Sequence, residues 1–350
     1  MITLFNKYLI KRSLYFSISI LFFFGLLDAI FTFIGELENI SDKYNILGIL
    51  KYVILSLPHN LIDFLEGACL LGIILALGLS HQEGNLNVLR TAGVSPLKIV
   101  LTSSIGALIL VIPLLLLDEI TFRKIYINAS ADKNTLSKQI NSETIDTKWI
   151  KSGNSYLSFE DIIEDKVFGV RFIKTKNNKI IYTAKSDTAE IHQDKIIFNE
   201  NTKYKNFANK SLQTQSELFS IPLESRTSFN KINDLGIQDI SSYRKIFSQS
   251  NLEKDILLKS HLDKVFYKKI LKPISIITLI IYFGSLIFTS LRDSTIGGRI
   301  IVAVTGAFIY QLIQGLSISI FISYGLSVLI GTIIPIAILV MLSIVSYKKI

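Results

Sequence analysis

The sequence predicts an α-helical membrane protein with six transmembrane helices and an all-β, jelly-roll-like domain inserted between the third and the fourth. The chain has 350 residues, of which 49% are hydrophobic. A soluble domain spreads similar apolar content along its length. Here it is concentrated in segments that match the roughly 20 residues of helix needed to span a membrane. These segments are 14–27 with 29–34, 61–79, 99–117, 274–291, 300–322 and 326–345.

The first three segments and their connections carry clear boundary signals. Pro58 is expected to end an approach helix before the second spanning helix, because proline lacks the N–H that a helix interior needs. The short polar connection 81–93 ends in Gly93, a residue typical of a helix C-terminus. Pro96 suits the first turn of the third spanning helix, which is expected to continue outward beyond residue 119.

Between the two groups of apolar segments, the hydrophobic period changes from that of helices to that of strands. Residues 148–223 contain short runs of β-branched and aromatic residues, with turn-like sequences at 176–179 and 192–194. Several short strands at this spacing suggest a sandwich or jelly roll. The chain therefore has three predicted parts: 1–120 with a short helix in 81–93, 121–268 with the β domain and its helical connections, and 269–350.

The distribution of Lys and Arg predicts the orientation in the membrane. The net charge is +9. Basic residues of membrane proteins gather in cytoplasmic loops, so this charge does not indicate nucleic-acid binding. Both termini and the loops 81–96 and 292–299 carry the excess, which predicts that they are cytoplasmic and that the inserted domain is outside. Cys69 is the only cysteine, so no intrachain disulfide supports that domain.

No motif for catalysis accompanies this architecture. The sequence contains no G-x-x-x-x-G-K-[ST] phosphate loop, no G-x-S-x-G and no H-E-x-x-H pattern. Its four histidines are scattered, and no Cys or His spacing fits a metal. We therefore expect no enzyme activity, no cofactor and no metal in this chain. Any transport driven by ATP hydrolysis would therefore need a partner subunit that binds the nucleotide.

The connection between the second and third spanning helices is the strongest local signal. Leu86, Leu89 and Ala92 lie near one face of a short predicted helix, with Asn85 and Arg90 elsewhere. Such an amphipathic helix suits docking into a soluble partner, and it also suits lying on the membrane surface. The residues alone leave both interpretations open.

Several short motifs occur in a fixed order along the chain. They are Ser56-Leu57-Pro58, the run from Leu86 to Gly93, Trp149 with Gly153-Asn154, Phe283-Gly284-Ser285, Leu291-Arg292, Gly297-Gly298-Arg299 and Tyr324-Gly325. Their order and spacing, over essentially the whole length, resemble the LptF/LptG permeases of the lipopolysaccharide export ABC transporter. The loop from Phe33 to Leu37 and the segment between the fourth and fifth spanning helices look closer to LptG than to LptF.

The resemblance implies an inner-membrane permease subunit that pairs with an LptF-like chain on an LptB-like ATPase dimer. Such a complex extracts lipopolysaccharide from the inner membrane and passes it to an LptC-like single-span bridge protein, and the inserted domain is then periplasmic. The connection 81–93 corresponds to the coupling helix that meets the ATPase. On this interpretation Leu86 and Leu89 fill an apolar groove on the ATPase, and Arg90 makes a contact at its rim.

The chain departs from the family pattern at two places. The coupling helix usually carries a carboxylate where Asn85 stands. On a continuous helix, Glu83 would lie about 200° around the axis from Asn85, so its carboxylate does not directly replace the missing one. Glu83 and Asn85 are both still expected to take part in coupling to the ATPase. Basic residues are also missing from the outer end of the first helix, where the family often meets substrate phosphates. The expected substrate contacts are an apolar wall of Phe24, Phe31, Ile309 and Leu316, and the cations Lys43, Arg123, Lys124 and Lys133.

Two functions of other classes stay open from the sequence. An ion-coupled secondary transporter would use the carboxylates Asp28, Asp63 and Glu66, because charged groups inside a membrane are functional candidates. A plainer interpretation is that these carboxylates lie near the outer interface and pair with Lys43 or Lys51. A membrane scaffold that presents the β domain is the other alternative. Copurification of a cytoplasmic ATPase would favour the exporter.

Overall fold

A computed structural model of the chain describes residues 4–41, 43–137, 148–159, 161–163, 166–176, 179–192, 195–199, 202–207, 216–219, 232–249, 256–289 and 294–350. Within these ranges, six helices are long and apolar enough to cross a membrane. An antiparallel β-sheet lies between the third and fourth of them in sequence. The predicted fold class is confirmed in these features. The motif Leu291-Arg292 lies outside the described residues.

The helices follow the predicted order. They are α1 (Leu4–Glu36), α2 (Ile46–Gln82), α3 (Asn85–Thr91), α4 (Pro96–Leu117), α5 (Arg123–Ser137), α6 (Ile237–Gln249), α7 (Ile256–Leu286), α8 (Ile296–Ser323) and α9 (Val328–Lys348). A π-helical turn, Asp118–Phe122, joins α4 to α5, so the third spanning helix continues beyond residue 119 as expected. Ser95 caps α4 by accepting a hydrogen bond from the backbone N–H of Lys98, and Pro96 occupies the first turn.

Pro58 does not end a helix, which corrects the sequence prediction. It lies inside α2, a single helix of 37 residues. A proline inside a membrane helix is tolerated where side-chain hydroxyls and neighbouring helices satisfy the backbone groups that it disturbs. Ser56 is buried next to it, and its hydroxyl donates to the carbonyl of Val53 at 3.1 Å. Packing against α1, α4, α7 and α8 also supports α2 as one continuous element.

Helix α1 attaches to the bundle through a narrow stripe of residues four apart. Its buried positions in the membrane are Leu9, Ser13, Ser17, Leu21 and Gly25. Small residues let helix backbones approach closely in a membrane. The Ser13 hydroxyl donates to the carbonyl of Ser103 at 2.8 Å, and a Cβ at Gly72 would lie 2.6 Å from the Cα of Ser17. Much of the remaining apolar surface of α1 is exposed, including Phe22, Phe23 and Phe31.

The insert contains one antiparallel sheet in its described part. Its strands are β1 (Lys148–Ser152), β2 (Ser155–Phe159), β3 (Asp161–Ile163), β4 (Lys166–Lys176), β5 (Lys179–His192), β6 (Lys195–Phe198), β7 (Lys203–Asn206) and β8 (Ser216–Leu218). The order is β1-β2-β4-β5-β6-β8, with β3 paired to β4 and β7 paired to β5. The inserted all-β domain is thereby confirmed, and its jelly-roll form stays a prediction.

The sheet buries one aromatic-rich face. Phe172 packs against Tyr182, Phe198 and Phe219, with ring centroids 5.7 to 6.0 Å apart. The carboxylate of Glu217 accepts a hydrogen bond from the Tyr182 hydroxyl and lies 2.7 Å from the Lys174 ammonium. A buried carboxylate requires such partners. The domain therefore has its own core, as the absence of disulfides required.

The chain divides into two compact units. The helical unit comprises Met1–Ile40, Tyr44–Ser130 and Asp234–Ile350. The second unit comprises Ser41–Lys43 and Ala131–Asn233 and contains the sheet. The first turns of α5 and the whole of α6 thus belong to the helical unit.

Candidate functional site

The short helix α3 is set between two glycines with positive φ. Gly84 has φ 79° and Gly93 has φ 80°, a conformation that residues with a Cβ rarely adopt. Gly84 ends the long helix α2 and allows the chain to turn at once into α3. Gly93 closes α3, with its N–H bonded to the carbonyl of Arg90 at 3.0 Å. The predicted helix and its glycine stop are thus present directly after α2.

The apolar face of α3 points into the chain itself. Leu86 and Leu89 are buried and belong to the core formed by the spanning helices. This placement corrects the expectation that they fill a groove on the ATPase, because a side chain cannot occupy two cores at once. Their role is to anchor α3 to the bundle. The face left open carries Val88, which is 55% exposed, with Asn87 and Thr91.

Arg90 lies on the border between these two faces. It is exposed, and its guanidinium carbon lies 5.9 Å from the ring centroid of Phe288, just beyond the end of α7. A guanidinium over an aromatic face is attracted by the ring quadrupole. This contact links α3 to the fourth spanning helix while the guanidinium stays accessible. The position is compatible with the predicted rim contact.

A polar cluster ties α1 to the end of α2, and we call Tyr8, Arg12, Glu83 and Asn85 the junction cluster. Arg12 binds the carboxylate of Glu83 with both terminal nitrogens, and its Nη2 lies 2.6 Å from Oε1. Asn85 donates to Glu83 Oε2 at 2.9 Å and to the Tyr8 hydroxyl at 3.1 Å. Bidentate Arg–carboxylate pairs fix direction as well as distance. The cluster therefore couples the first spanning helix to the root of α3.

The geometry of the junction cluster changes the interpretation of Glu83 and Asn85. They do not share one helix, since Glu83 follows α2 and Asn85 begins α3 beyond Gly84. The 200° separation expected from a continuous helix does not apply, and the two side chains are hydrogen-bonded. The guanidinium of Arg12 lowers the pKa of Glu83 by hydrogen bonding to its charged form. Glu83 is therefore an ionised link within this chain at neutral pH.

The apolar wall expected from the sequence is partly exposed. Phe31 on α1 and Ile309 and Leu316 on α8 are exposed. Phe24 is half-buried, and its ring centroid lies 5.8 Å from that of Phe64 on α2. The spans containing α1 and α8 are the least buried of the six found in the described residues. Both pack on α2, so a common central helix supports the two exposed apolar faces.

Among the four cations expected to contact substrate phosphates, Arg123 is buried within the helical unit. It is 5% exposed, and its Nη1 donates to Asp239 Oδ2 on α6 at 2.9 Å. This corrects its assignment as a phosphate contact, because the guanidinium is already enclosed and paired. Lys124 is exposed on the helical unit. Lys43 is exposed and Lys133 is half-buried, and both belong to the second unit.

The three carboxylates of the ion-coupled alternative do not form one site. Asp28 accepts a hydrogen bond from Asn60 at 2.9 Å. Asp63 is 87% exposed and lies 3.7 Å from the Lys272 ammonium, whereas Glu66 is buried and accepts from the hydroxyl of Ser275 at 3.2 Å. Their observed partners differ from the expected Lys43 and Lys51. Separate partners and unequal exposure do not favour a shared ion-binding site.

Two further polar contacts were not predicted from the sequence. Arg12 belongs to the basic N-terminus, and its partner Glu83 lies 71 positions away in the sequence. His59 Nδ1 lies 2.6 Å from Asp118 Oδ1, and the His59 ring stacks on Tyr126 at 4.7 Å. Asp118 begins the π-helical turn, a feature frequent at functional positions. A carboxylate at the end of an apolar segment was the available signal, but it could not identify the partner.

Comparisons with known proteins agree with this arrangement. A family model described as lipopolysaccharide export system permease LptF/LptG matches residues 7–349. The lipopolysaccharide export system permease protein LptG of Haemophilus influenzae is 22% identical over 322 residues, which cover 88% of each chain. The protein of the same name from Escherichia coli K12 is 22% identical over 333 residues, covering 90% of this chain and 89% of that one.

Proposed function

The chain belongs to the LptF/LptG family of lipopolysaccharide export system permeases, and we propose that it is the LptG-type subunit of an ATP-driven exporter. In this proposal it pairs with an LptF-like permease on an LptB-like ATPase dimer. The complex extracts lipopolysaccharide from the inner membrane and passes it to an LptC-like single-span bridge protein. The match over residues 7–349 carries this proposal, and the LptG relatives support the choice of subunit.

The ATPase would dock on the open face of α3. Leu86 and Leu89 hold α3 against the bundle, so movement of the ATPase reaches the spanning helices through a rigid contact. Val88 and its neighbours face outward, and Arg90 remains accessible at the border. A small exposed apolar residue with polar neighbours is typical of a docking surface with a polar rim. The chain itself contributes no catalytic residue and no cofactor to the cycle.

The junction cluster would carry this movement to the substrate side. Arg12 lies on α1, whose span has the smallest buried share of the six found in the described residues, and its carboxylate partner lies at the root of α3. A displacement of α3 therefore pulls directly on α1. Coupling between sites needs such a contiguous physical connection with two arrangements. Glu83 and Asn85 thus act in coupling through α1, as well as through their place beside the ATPase.

The lipid part of the substrate would meet the exposed faces of α1 and α8. Lipopolysaccharide carries phosphates on an apolar body with several acyl chains. Phe31, Ile309 and Leu316 provide apolar contacts, and Phe24 supports them from a half-buried position. Lys124 is the candidate cation that lies on the same helical unit as this wall, and charge is less costly near the membrane boundary than at its centre. Arg123 is not a candidate, because its guanidinium is buried and paired with Asp239.

Photocrosslinking tests this substrate surface. A photoreactive residue at Phe31 or Leu316 in the assembled complex is expected to crosslink to lipopolysaccharide, because both side chains face outward from the proposed wall. Met341 on α9 is a matched control, as it is equally exposed on another spanning helix. Equal yields at Met341 and Phe31 would mean that the label reports only contact with membrane lipid, and the proposed surface would then be wrong.

The proposal also fixes the orientation of the chain. Six spanning helices make it a multi-pass inner-membrane protein, with both termini cytoplasmic and the domain in 121–268 periplasmic. The parts 1–120 and 269–350 then form the membrane unit.

Cysteine labelling tests this orientation. In a Cys69→Ser background, Asn87→Cys is expected to react with a membrane-impermeant thiol reagent only after the cells are opened, because the Lys and Arg excess keeps this loop inside. Asn206→Cys, in the sheet, should react in cells whose inner membrane is intact. The reverse pattern would refute the topology.

A further inference from the structure

The exposed face of the sheet carries three cations side by side. Arg171 on β4 is directly opposite Lys185 on β5, and Lys185 is directly opposite Lys203 on β7. All three side chains are exposed. Lys205 follows two residues along β7 on the same face, opposite Thr183. We call Arg171, Lys185 and Lys203 the basic row.

The basic row is electrostatically unfavourable as it stands. Directly opposite residues on one face have their Cβ atoms about 4.5–5.5 Å apart, and like charges at this separation destabilise the strand pair. Within the described part of the domain, no ion pair engages the row. Asp187, exposed two residues beyond Lys185, is the nearest carboxylate along the same strand. On the opposite face, by contrast, Lys174 is paired with Glu217 at 2.7 Å. The uncompensated row therefore suits an anionic ligand.

An exposed tryptophan extends the same row. Trp149 on β1 is opposite Ser158 on β2, and Ser158 is opposite Arg171. Trp149 is 53% exposed, although tryptophan is usually well buried. Across five paired strands, the exposed members of this row are an aromatic ring and three cations, and the buried Ser158 lies between Trp149 and Arg171. An aromatic surface beside cations suits a ligand that combines an apolar ring face with anionic groups.

We propose that this face binds the phosphorylated saccharide portion of the exported glycolipid. The inference rests on the proposed function, which supplies the glycolipid. Neighbouring strands are about 4.8 Å apart, so the row spans roughly 10 Å from Arg171 to Lys203 and can contact two separate phosphates. Arg171 provides a planar fork that matches phosphate bidentately, and the lysines act as point charges. Trp149 offers its ring to the C–H face of a sugar.

The single tryptophan of the chain provides the measurement. Trp149 is the only tryptophan in the sequence, so its fluorescence reports on this face alone. The full chain in detergent is titrated with deacylated lipopolysaccharide, which retains its phosphates but has no acyl chains. We expect a saturable change in emission that is strongly reduced for the same saccharide after enzymatic dephosphorylation. Charge-assisted binding should also weaken as salt is raised above about 0.15 M.

Charge reversal tests the cations themselves. The triple variant Arg171→Glu, Lys185→Glu, Lys203→Glu should bind the phosphorylated saccharide at least about tenfold more weakly, since each charge-assisted contact becomes repulsive. The matched control is Lys176→Glu, Lys179→Glu, Lys195→Glu, which makes the same charge change at exposed lysines outside the row. This control should stay within about twofold of the parent chain. The unliganded emission of Trp149 checks that each variant is folded.

Several outcomes would overturn the proposal. Equal weakening in both triple variants would show a non-specific charge effect, and unchanged binding in the first would show that the row is not the site. Binding of anionic phosphatidylglycerol vesicles that is lost in the first variant, with no saccharide binding, would assign the face to the membrane surface. Crosslinking at Phe31 and recovery of the ATPase test the proposed function separately, so its failure is distinguishable from failure of this site.

Discussion

A carboxylate placed at Val88 is expected to release the ATPase from this chain without unfolding it. Val88 is the exposed apolar residue of α3, whereas Leu86 and Leu89 are enclosed by the spanning helices. The Val88→Asp substitution would carry an unpaired charge into the interface. Losing a buried interface anchor costs about 1–3 kcal/mol, or roughly five- to 150-fold in affinity. Recovery of the ATPase with the solubilised complex measures this effect.

Two comparison variants separate docking from folding. Val88→Leu keeps an apolar side chain and should retain the ATPase. Leu89→Asp should instead fail to accumulate in the membrane, because it buries a charge in the core of the chain itself. Undiminished ATPase recovery with Val88→Asp would show that α3 docks through another face, or that it does not dock.

The spanning helices were predictable because the bilayer imposes a strong and local constraint. A helix of about 20 apolar residues satisfies the hydrogen-bonding groups of its own backbone, so it can be predicted without knowing which helices pack beside it. Pro58 shows where this local argument fails. Its effect on α2 depends on the Ser56 hydroxyl and on the helices packed around it, and these were not visible in the sequence.

The connection between α2 and α4 shows a different limit of sequence analysis. The periodicity of Leu86 and Leu89 correctly indicated a short amphipathic helix, and Gly93 correctly indicated its end. Periodicity gives a buried face, but it does not say whether that face is buried in the same chain or in a partner. The positions of the spanning helices answer this question. Leu86 and Leu89 are buried against those helices, and Val88 is the exposed apolar residue of α3.

Charged residues were the least predictable part of the candidate site. Arg123 was a reasonable phosphate contact from its place beyond an apolar segment, yet it is enclosed and paired with Asp239, 116 positions away. Arg12 belongs to the basic N-terminus and Glu83 to the polar connection 81–93, and nothing local in the sequence connects them. The partner of a long charged side chain depends on which helices become neighbours, and this is a property of the whole fold.

The link between Arg12 and Glu83 is expected to be stable across the physiological pH range. Hydrogen bonding by Arg12 lowers the pKa of Glu83 in the folded chain. A carboxylate with a lowered pKa contributes stability above its unfolded pKa, and this contribution is lost only as the pH falls through the folded value. Since both values lie well below neutrality, the pair remains ionised between about pH 6 and 8. Its proposed role is therefore mechanical and independent of pH.

Removing this link is expected to uncouple ATP hydrolysis from lipopolysaccharide movement. Arg12→Ala should leave ATPase recovery unchanged, because Arg12 lies on α1 and not on the open face of α3. Transport of lipopolysaccharide in reconstituted vesicles should fall about tenfold, within the range of free energies that couple distant sites. The cost to folding should be small, since Glu83 is half-exposed and such pairs contribute about 1 kcal/mol or less.

A charge swap distinguishes coupling from simple loss of a cation. Arg12→Glu combined with Glu83→Arg restores an ion pair across the same gap and should recover part of the transport that each single change removes. Lys11→Ala is the matched control, because it removes an exposed positive charge from the adjacent position of α1 and should leave transport near the parent level. If Arg12→Ala transports normally, α3 must move the spanning helices through Leu86 and Leu89 alone. If the swap recovers nothing while ATPase recovery stays intact, the guanidinium of Arg12 acts on another group, and the junction cluster is a fixed support, not a moving link.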